Sequence, residues 1–199
     1  LVIAGHYQDE RVAVFRNEQN VGPAANWNHA VAVSRGEYVK VLCQDDVLRP
    51  ECLERQVSAL DDFSRAAFVA CRRDIIDDEG RVLMHSRGWR GAIGEIDAPT
   101  ALRSTVRTGT NLLGEPPVVL FRRSAFVESG GFSPDYSYTI DVDLWLRLLE
   151  SGTLVYLSET LCSFRAPVDS WSARLARSQA AETRTWLRAV ADAGRVSSR

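Results

Sequence analysis

The chain contains no apolar run of about 18 residues, so nothing in it reads as a membrane-spanning helix, and no secretory leader is visible. It has no basic excess: the net charge is −2, which argues against nucleic acid as the main partner. Cysteine is sparse, with Cys43, Cys52, Cys71 and Cys162 forming neither a C-x-x-C pair nor a zinc-like spacing. Free thiols and a cytoplasmic setting are expected from that. Lysine is nearly absent, Lys40 being the single one, and the remaining positive charge is arginine; we read this as composition bias. There is no initial methionine. Leu1 to Tyr7 reads as the end of a helix, so an upstream part is expected to be missing.

What is present is an ordinary globular composition, 45% hydrophobic and 25% charged over 199 residues, enough for one domain with a buried core. The pattern predicts a short strand over Arg11–Arg16, an Ala-rich helix from Pro23 to Val33 and an apolar strand from Tyr38 to Cys43. A helix follows over Pro50–Leu60, then a strand over Ala66–Arg72, and a turn at Asp77–Gly80 leading into a hairpin strand over Arg81–Met84. Residues 85–116 are weakly periodic, with a short helix near Ala98–Arg107. Beyond them come a strand over Val118–Arg122 and a short helix capped by Ser124 and ended by Gly130-Gly131. Last are an amphipathic helix over Asp141–Glu150, a strand over Thr153–Leu157 and a long terminal helix over Ala173–Ala193. Without a repeat or linker, this is one α/β layer structure.

The segment that carries chemistry is GEYVKVLCQDDVLRP, Gly36 to Pro50. An apolar strand ends in Asp45-Asp46 before a helix, at the carboxyl edge where open α/β sheets hold ligands. Adjacent carboxylates repel, and a shared hard cation relieves that; Mg²⁺ uses one or two carboxylates and completes its shell with substrate phosphates and water. The plainer reading is a solvated turn that caps the next helix.

Four blocks in order change that balance. They are Asn20-Val21-Gly22 with Asn26-Trp27-Asn28; Gly36-Glu37-Tyr38 leading to Gln44-Asp45-Asp46; Gly114-Glu115-Pro116 with Gly130-Gly131-Phe132; and Asp141-Val142-Asp143-Leu144-Trp145-Leu146-Arg147. Together they resemble a family 2 glycosyltransferase of the GT-A type, from about Arg11 to Ser172. The resemblance implies an α/β fold, GT-A-like, a single domain whose mixed central sheet is flanked by helices and which is incomplete at the N-terminus. Residues 1–172 would form that domain and 173–199 a C-terminal helical extension.

It further implies a metal-dependent inverting enzyme (hexosyl or deoxyhexosyl transfer) moving sugar from a nucleotide-sugar donor to a glycan or lipid-linked acceptor in cell-surface polysaccharide synthesis. On this resemblance Asp46 is the direct ligand of Mn²⁺ or Mg²⁺. Asp45 contacts the ribose or a metal-bound water. Asn20, Gly22 and Asn28 lie on the donor side, Glu115 and Asp143 on the acceptor side, and Asp141 is the base. Asn20 and Asn28 could equally bond their own turns, Asp141 could be a plain helix-start acid, and Arg147 could pair with Asp143 or reach the acceptor. Trp145 reads as core.

Two departures from the family pattern stand out: Ile140 precedes Asp141 where an acid is common, and Pro167 stands where many members carry a histidine. Asp169, Ser170 or Trp171 could still close over the diphosphate. The family's first strands, with their nucleobase-binding Asp, find no match. A non-catalytic nucleotide-sugar or glycan-binding module is the alternative, with a nucleotidyltransferase behind it. Arg174, Arg177, Arg184 and Arg188 leave peripheral contact with an anionic membrane face open, although such a row is usually a solvated face. The oligomeric state is not legible.

Overall fold

In the computed structural model the described residues are 9–108, 111–166 and 171–192. Their elements run α1 (Gly22–Val33), β1 (Tyr38–Val39), β2 (Val47–Leu48), α2 (Cys52–Asp62), β3 (Ala66–Ile76), β4 (Val82–Arg87) and β5 (Gly94–Ile96). There follow α3 (Ala98–Thr108), β6 (Leu120–Arg122), α4 (Arg123–Glu128), α5 (Ile140–Leu148), β7 (Thr153–Arg165) and α6 (Trp171–Asp192).

The sheet is mixed, in the order β1-β6-β3-β7-β2, with β4 added to β3 and β5 to β7. β3 and β7 run parallel at its centre and the other pairs are antiparallel. Ala66 to Cys71 are all buried, as expected for a strand covered on both faces. Ala67, Phe68, Ala70 and Cys71 join the main core with Phe121, Trp145, Leu154 and Tyr156, whereas Ala66 and Val69 belong to a second cluster with Leu120, Val155 and Leu60. Helix α2 covers that second cluster. Helices α1, α3, α4, α5 and α6 all send residues into the main core, Trp186 and Val190 of α6 among them.

Several expected elements differ in the structure. Arg11–Arg16 forms no strand; the segment is exposed and no described strand pairs with it, so its alternation has nothing to act on. The apolar strand stops at Val39. Beyond that point the carbonyls it could have met are taken by side chains: Lys40 Nζ donates to Val119 O at 3.2 Å, and Gln56 Nε2 to Val118 O at 2.7 Å. Burial also holds the Lys40 ammonium below its ordinary value. The strand expected from Val118 begins at Leu120, because Pro116–Val118 closes a 3₁₀ turn, Val118 N–H bonding Glu115 O. Ser124 lies inside α4, whose cap position is Arg122. β5 was not expected from sequence. The expected hairpin strand runs over Val82–Arg87, and β3 and β7 extend well past their expected ends because they pair with each other as far as Ile76↔Arg165.

Candidate active site

The acid pair sits on the crossing from β1 to β2, where Gln44 and Asp45 turn the chain and Asp46 N–H bonds Cys43 O at 3.3 Å. The antiparallel pairing of β2 with Cys162 and Ser163 brings this turn against the end of β7. There Arg165 fastens it. Its amide donates to Asp46 Oδ1 at 3.0 Å and its Nε to Asp45 O at 2.9 Å, while Nη1 reaches Asp77 O and Asp78 O in the β3–β4 turn. A single arginine thus ties the acidic loop to the carboxyl ends of both central strands. The sequence offered no spacing from which this could be read.

Asp46 is buried, and its Oδ2 has no hydrogen-bond partner among the described residues. Burial, with the charges of Asp45 and Glu115, pushes its carboxyl up to about 7 against the pull of the Arg165 amide. Asp45 and Asp46 line a cavity of about 580 Å³ with Asn17, Asn20, Gly22, Asn26 and Trp27. Asn20 Oδ1 accepts from Gly22 N–H at 2.9 Å, and Gly22 turns at φ +77°, so the Asn-x-Gly loop is closed on itself at the cavity wall. The donor set fits a divalent cation. An orphaned buried carboxylate oxygen beside a second carboxylate suits Mg²⁺ or Mn²⁺ sharing its shell with phosphate. Among the described residues no group of three potential ligands assembles, so a bound substrate would have to complete that shell.

A second cavity, of about 380 Å³, lies against the first. Glu115, Tyr138, Asp141 and Phe164 line both. Asp141 opens α5, where its Oδ1 accepts from Val142 N–H at 2.7 Å and its Oδ2 from Asn111 Nδ2 at 3.0 Å. Burial pushes the Asp141 carboxyl up to about 7, and the Glu115 charge adds to this, with Val142 N–H and Arg73 opposing. Glu115 is held by Arg73 through a 2.6 Å ion pair. Arg73 Nε, Thr105 Oγ1, Glu115 Oε2 and Trp186 Nε1, all on residues lining this second cavity, are buried polar atoms without a partner among the described residues. Unpaired buried polar groups are costly unless a ligand or water meets them.

The structure therefore brings Asn20, Gly22, Asp45, Asp46, Glu115 and Asp141 to one pair of cavities. It places two expected residues elsewhere. Asn28 lines neither cavity; its amide accepts from Phe132 N–H and donates to Phe132 O, both at 2.9 Å, fixing the Gly130-Gly131 turn onto α1. Asp143, expected on the acceptor side, is buried under Arg147 at 2.6 Å, and Arg147 continues to Ser129 O and Gly131 O. Helical periodicity explains this, since Asp143 and Arg147 share the inward face while Asp141 does not. Trp145 is wholly buried, with Nε1 donating to Gly114 O, as the core reading expected. Asn111, Arg73, Tyr138 and Arg165 were missed by sequence reasoning; their roles arise from contacts across the fold. Pro167, Asp169 and Ser170 lie outside the described residues.

This constellation places an acid pair and a helix-start acid beside adjoining cavities on a mixed α/β sheet. The chain belongs to glycosyl transferase family 2, which it matches over residues 2–130. It is 32% identical over 156 residues to an uncharacterized protein of Mycobacterium tuberculosis, covering 74% of this chain and 48% of that one. It is 29% identical over 177 residues to the putative glycosyltransferase EpsE of Bacillus subtilis, covering 86% of this chain and 58% of EpsE. The chain thus spans about half the length of these relatives. The fold is also that of residues 1–349 of S. aureus TarS, with a TM-score of 0.56 at 15% identity over 73% of this chain and 41% of that fragment, which bears out the expected GT-A-like architecture.

Proposed function

We propose that the chain is the catalytic part of a metal-dependent inverting glycosyltransferase that moves a hexosyl or deoxyhexosyl unit from a nucleotide sugar to a hydroxyl of a glycan or lipid-linked acceptor in polysaccharide synthesis. The observation that carries this reading is the position of Asp141, in the wall common to two cavities. One cavity holds the acid pair and the Asn-x-Gly loop, and suits the donor. The other is lined by unpartnered polar groups and suits a hydroxyl-rich acceptor.

Asn20, Gly22 and Asp45 hold the nucleotide end of the donor, with its diphosphate beside Asp46. Mn²⁺ or Mg²⁺ held by Asp46 and Asp45 supplies Lewis-acid neutralisation of the leaving diphosphate when bound. The acceptor hydroxyl enters from the second cavity. Asp141, with a carboxyl poised near neutrality, takes its proton as the oxygen attacks the anomeric carbon and the bond to the diphosphate breaks. Glu115, the other carboxylate of the common wall, is engaged by Arg73, and we read the displacement as direct and inverting, by analogy with the logic that separates glycosidases. Asn111 keeps the base turned toward the common wall.

The test is a panel of nucleotide sugars with Mn²⁺, read by donor binding and by transfer. Asp46→Asn should lose cation-dependent donor binding. Asp141→Asn should keep binding and lose transfer by about 10²–10⁴-fold, the usual worth of a general base. Full transfer by Asp141→Asn would refute the base assignment, and equal donor binding with and without chelator would refute the metal role.

A further inference from the structure

Helix α6 reaches back to the segment that opens α5. Glu182 Oε1 accepts from the backbone N–H groups of Ser137, Tyr138 and Thr139 at 3.0, 2.6 and 2.8 Å, and from Thr139 Oγ1 at 3.1 Å. One turn earlier, Gln179 Nε2 donates to the Tyr138 hydroxyl at 2.5 Å. Further along the same face of α6, Trp186 and Val190 are buried in the main core, so Glu182 is presented from an anchored helix. Thr139 is the cap residue of α5, yet its hydroxyl makes no cap bond to its own helix; it is spent on Glu182. The loop that launches α5 is therefore organised by a side chain more than forty positions away in sequence. Charge-assisted bonds of this kind are roughly twice as strong as neutral ones.

Asp141 lies two residues beyond Thr139. Its carboxylate is fixed to the first turn of α5 by the Val142 amide, so it goes wherever that turn goes. Asn111 is the only other described side chain hydrogen-bonded to it. We infer that Glu182 is a positioning residue for Asp141: the carboxylate on α6 sets the entry of α5 and thereby holds the base at the common wall of the two cavities. The inference rests on the proposed function only in naming Asp141 as the base.

The test compares Glu182→Ala, Glu182→Gln and the exposed α6 control Arg188→Ala, with no donor, acceptor or metal present. Two readouts are used: amide hydrogen exchange, and the pH midpoint of the Asp141 side-chain carboxyl by ¹³C NMR, assigned against Asp141→Asn. The groups facing Asp141 that enter this midpoint are Glu115, Arg73, Tyr138 and Cys43. Glu182→Ala should speed exchange at Ser137, Tyr138, Thr139 and Val142 by about tenfold while α2 and β3 stay as in the parent. It should also move the Asp141 midpoint toward the ordinary carboxylate range by about one pH unit, as water reaches the carboxyl. Glu182→Gln keeps an acceptor oxygen but loses the charge and should fall between the parent and Glu182→Ala in both, and Arg188→Ala should change neither.

Unaltered Val142 exchange and an unaltered Asp141 midpoint in Glu182→Ala would overturn the inference, as would faster exchange spread equally over α2 and β3. If Glu182→Ala does not fold, Thr139→Val removes one of the four bonds and should shift both readouts in the same direction by less; no shift would overturn it. Because no substrate is used, a wild-type protein that transfers no sugar counts against the proposed function and leaves these results to decide the positioning role.

Discussion

Asp141→Asn should make the protein more stable at neutral and alkaline pH while removing its activity. In the native state burial and the Glu115 charge raise the Asp141 carboxyl from the ordinary 3.8 to about 7. The folded protein therefore holds this proton more tightly than the unfolded chain does. Between those two values stability falls as pH rises, because the native state binds more protons than the unfolded state there. The interval is about three pH units at about 1.36 kcal/mol each, a cost of about 4 kcal/mol that is absent below pH 4 and complete above pH 7. Asparagine cannot ionise and escapes it. Asparagine keeps one carbonyl oxygen, so it can accept from Val142 N–H or from Asn111 but not from both, a loss of about 1–2 kcal/mol. The net expectation is a gain of about 2–3 kcal/mol above pH 7, reversing to a small loss near pH 4. For a chain of this length that is about 5–10 °C in Tm at pH 8. Thermal melts of both proteins from pH 4 to 8.5 in chelator, so that Asp46 is equally unliganded in each, measure it. A Tm difference independent of pH, or a less stable variant at pH 8, would refute the claim that the fold holds its base at the expense of stability.

Two further outcomes test the residues that the structure moved away from the site. Asn28→Ala should cost about 1–3 kcal/mol in denaturant unfolding, since Phe132 N–H and Phe132 O lose their partner, while donor binding stays unchanged. Arg147→Ala leaves the buried Asp143 carboxylate unpaired and should cost about 3–5 kcal/mol by the same measurement. If Asp143→Asn raised the acceptor KM in a protein of parental stability, the placement of Asp143 in the core would be refuted.

Much of this architecture is legible in the sequence, for reasons that differ from element to element. The apolar run at Ala66–Cys71 forces a strand covered on both faces, whatever its neighbours are. Pro23 and the Ala-rich stretch start α1 with only local help. Arg11–Arg16 alternates just as well, but a strand is a shared structure, and no described strand pairs with it. Lys40 looked like an interruption of an apolar strand; it is where the ladder is replaced by side-chain bonds to Val118 and Val119 carbonyls. Asp141 and Asp143 are two positions apart in one motif, and the sequence reads both as site residues. Only the rotation of α5 against its neighbours separates them, sending one to the cavities and the other under Arg147.

By itself, then, the sequence determined the kind of protein: an α/β domain of glycosyl transferase family 2, with an acid pair after an apolar segment and an acid opening a later helix. Those features are local, and residue type and spacing are enough to specify them. The tertiary structure decided which groups act together. The antiparallel pairing of β2 with β7 sets Arg165 against the acid loop, the turn at Pro116–Val118 fixes Glu115 between two cavities, and α6 returns to hold the entry of α5. The first and last are contacts between residues far apart in the chain, and burial in the packed fold raises both Asp46 and Asp141 toward neutrality. No local pattern encodes that, because desolvation belongs to the packed molecule and not to the residue.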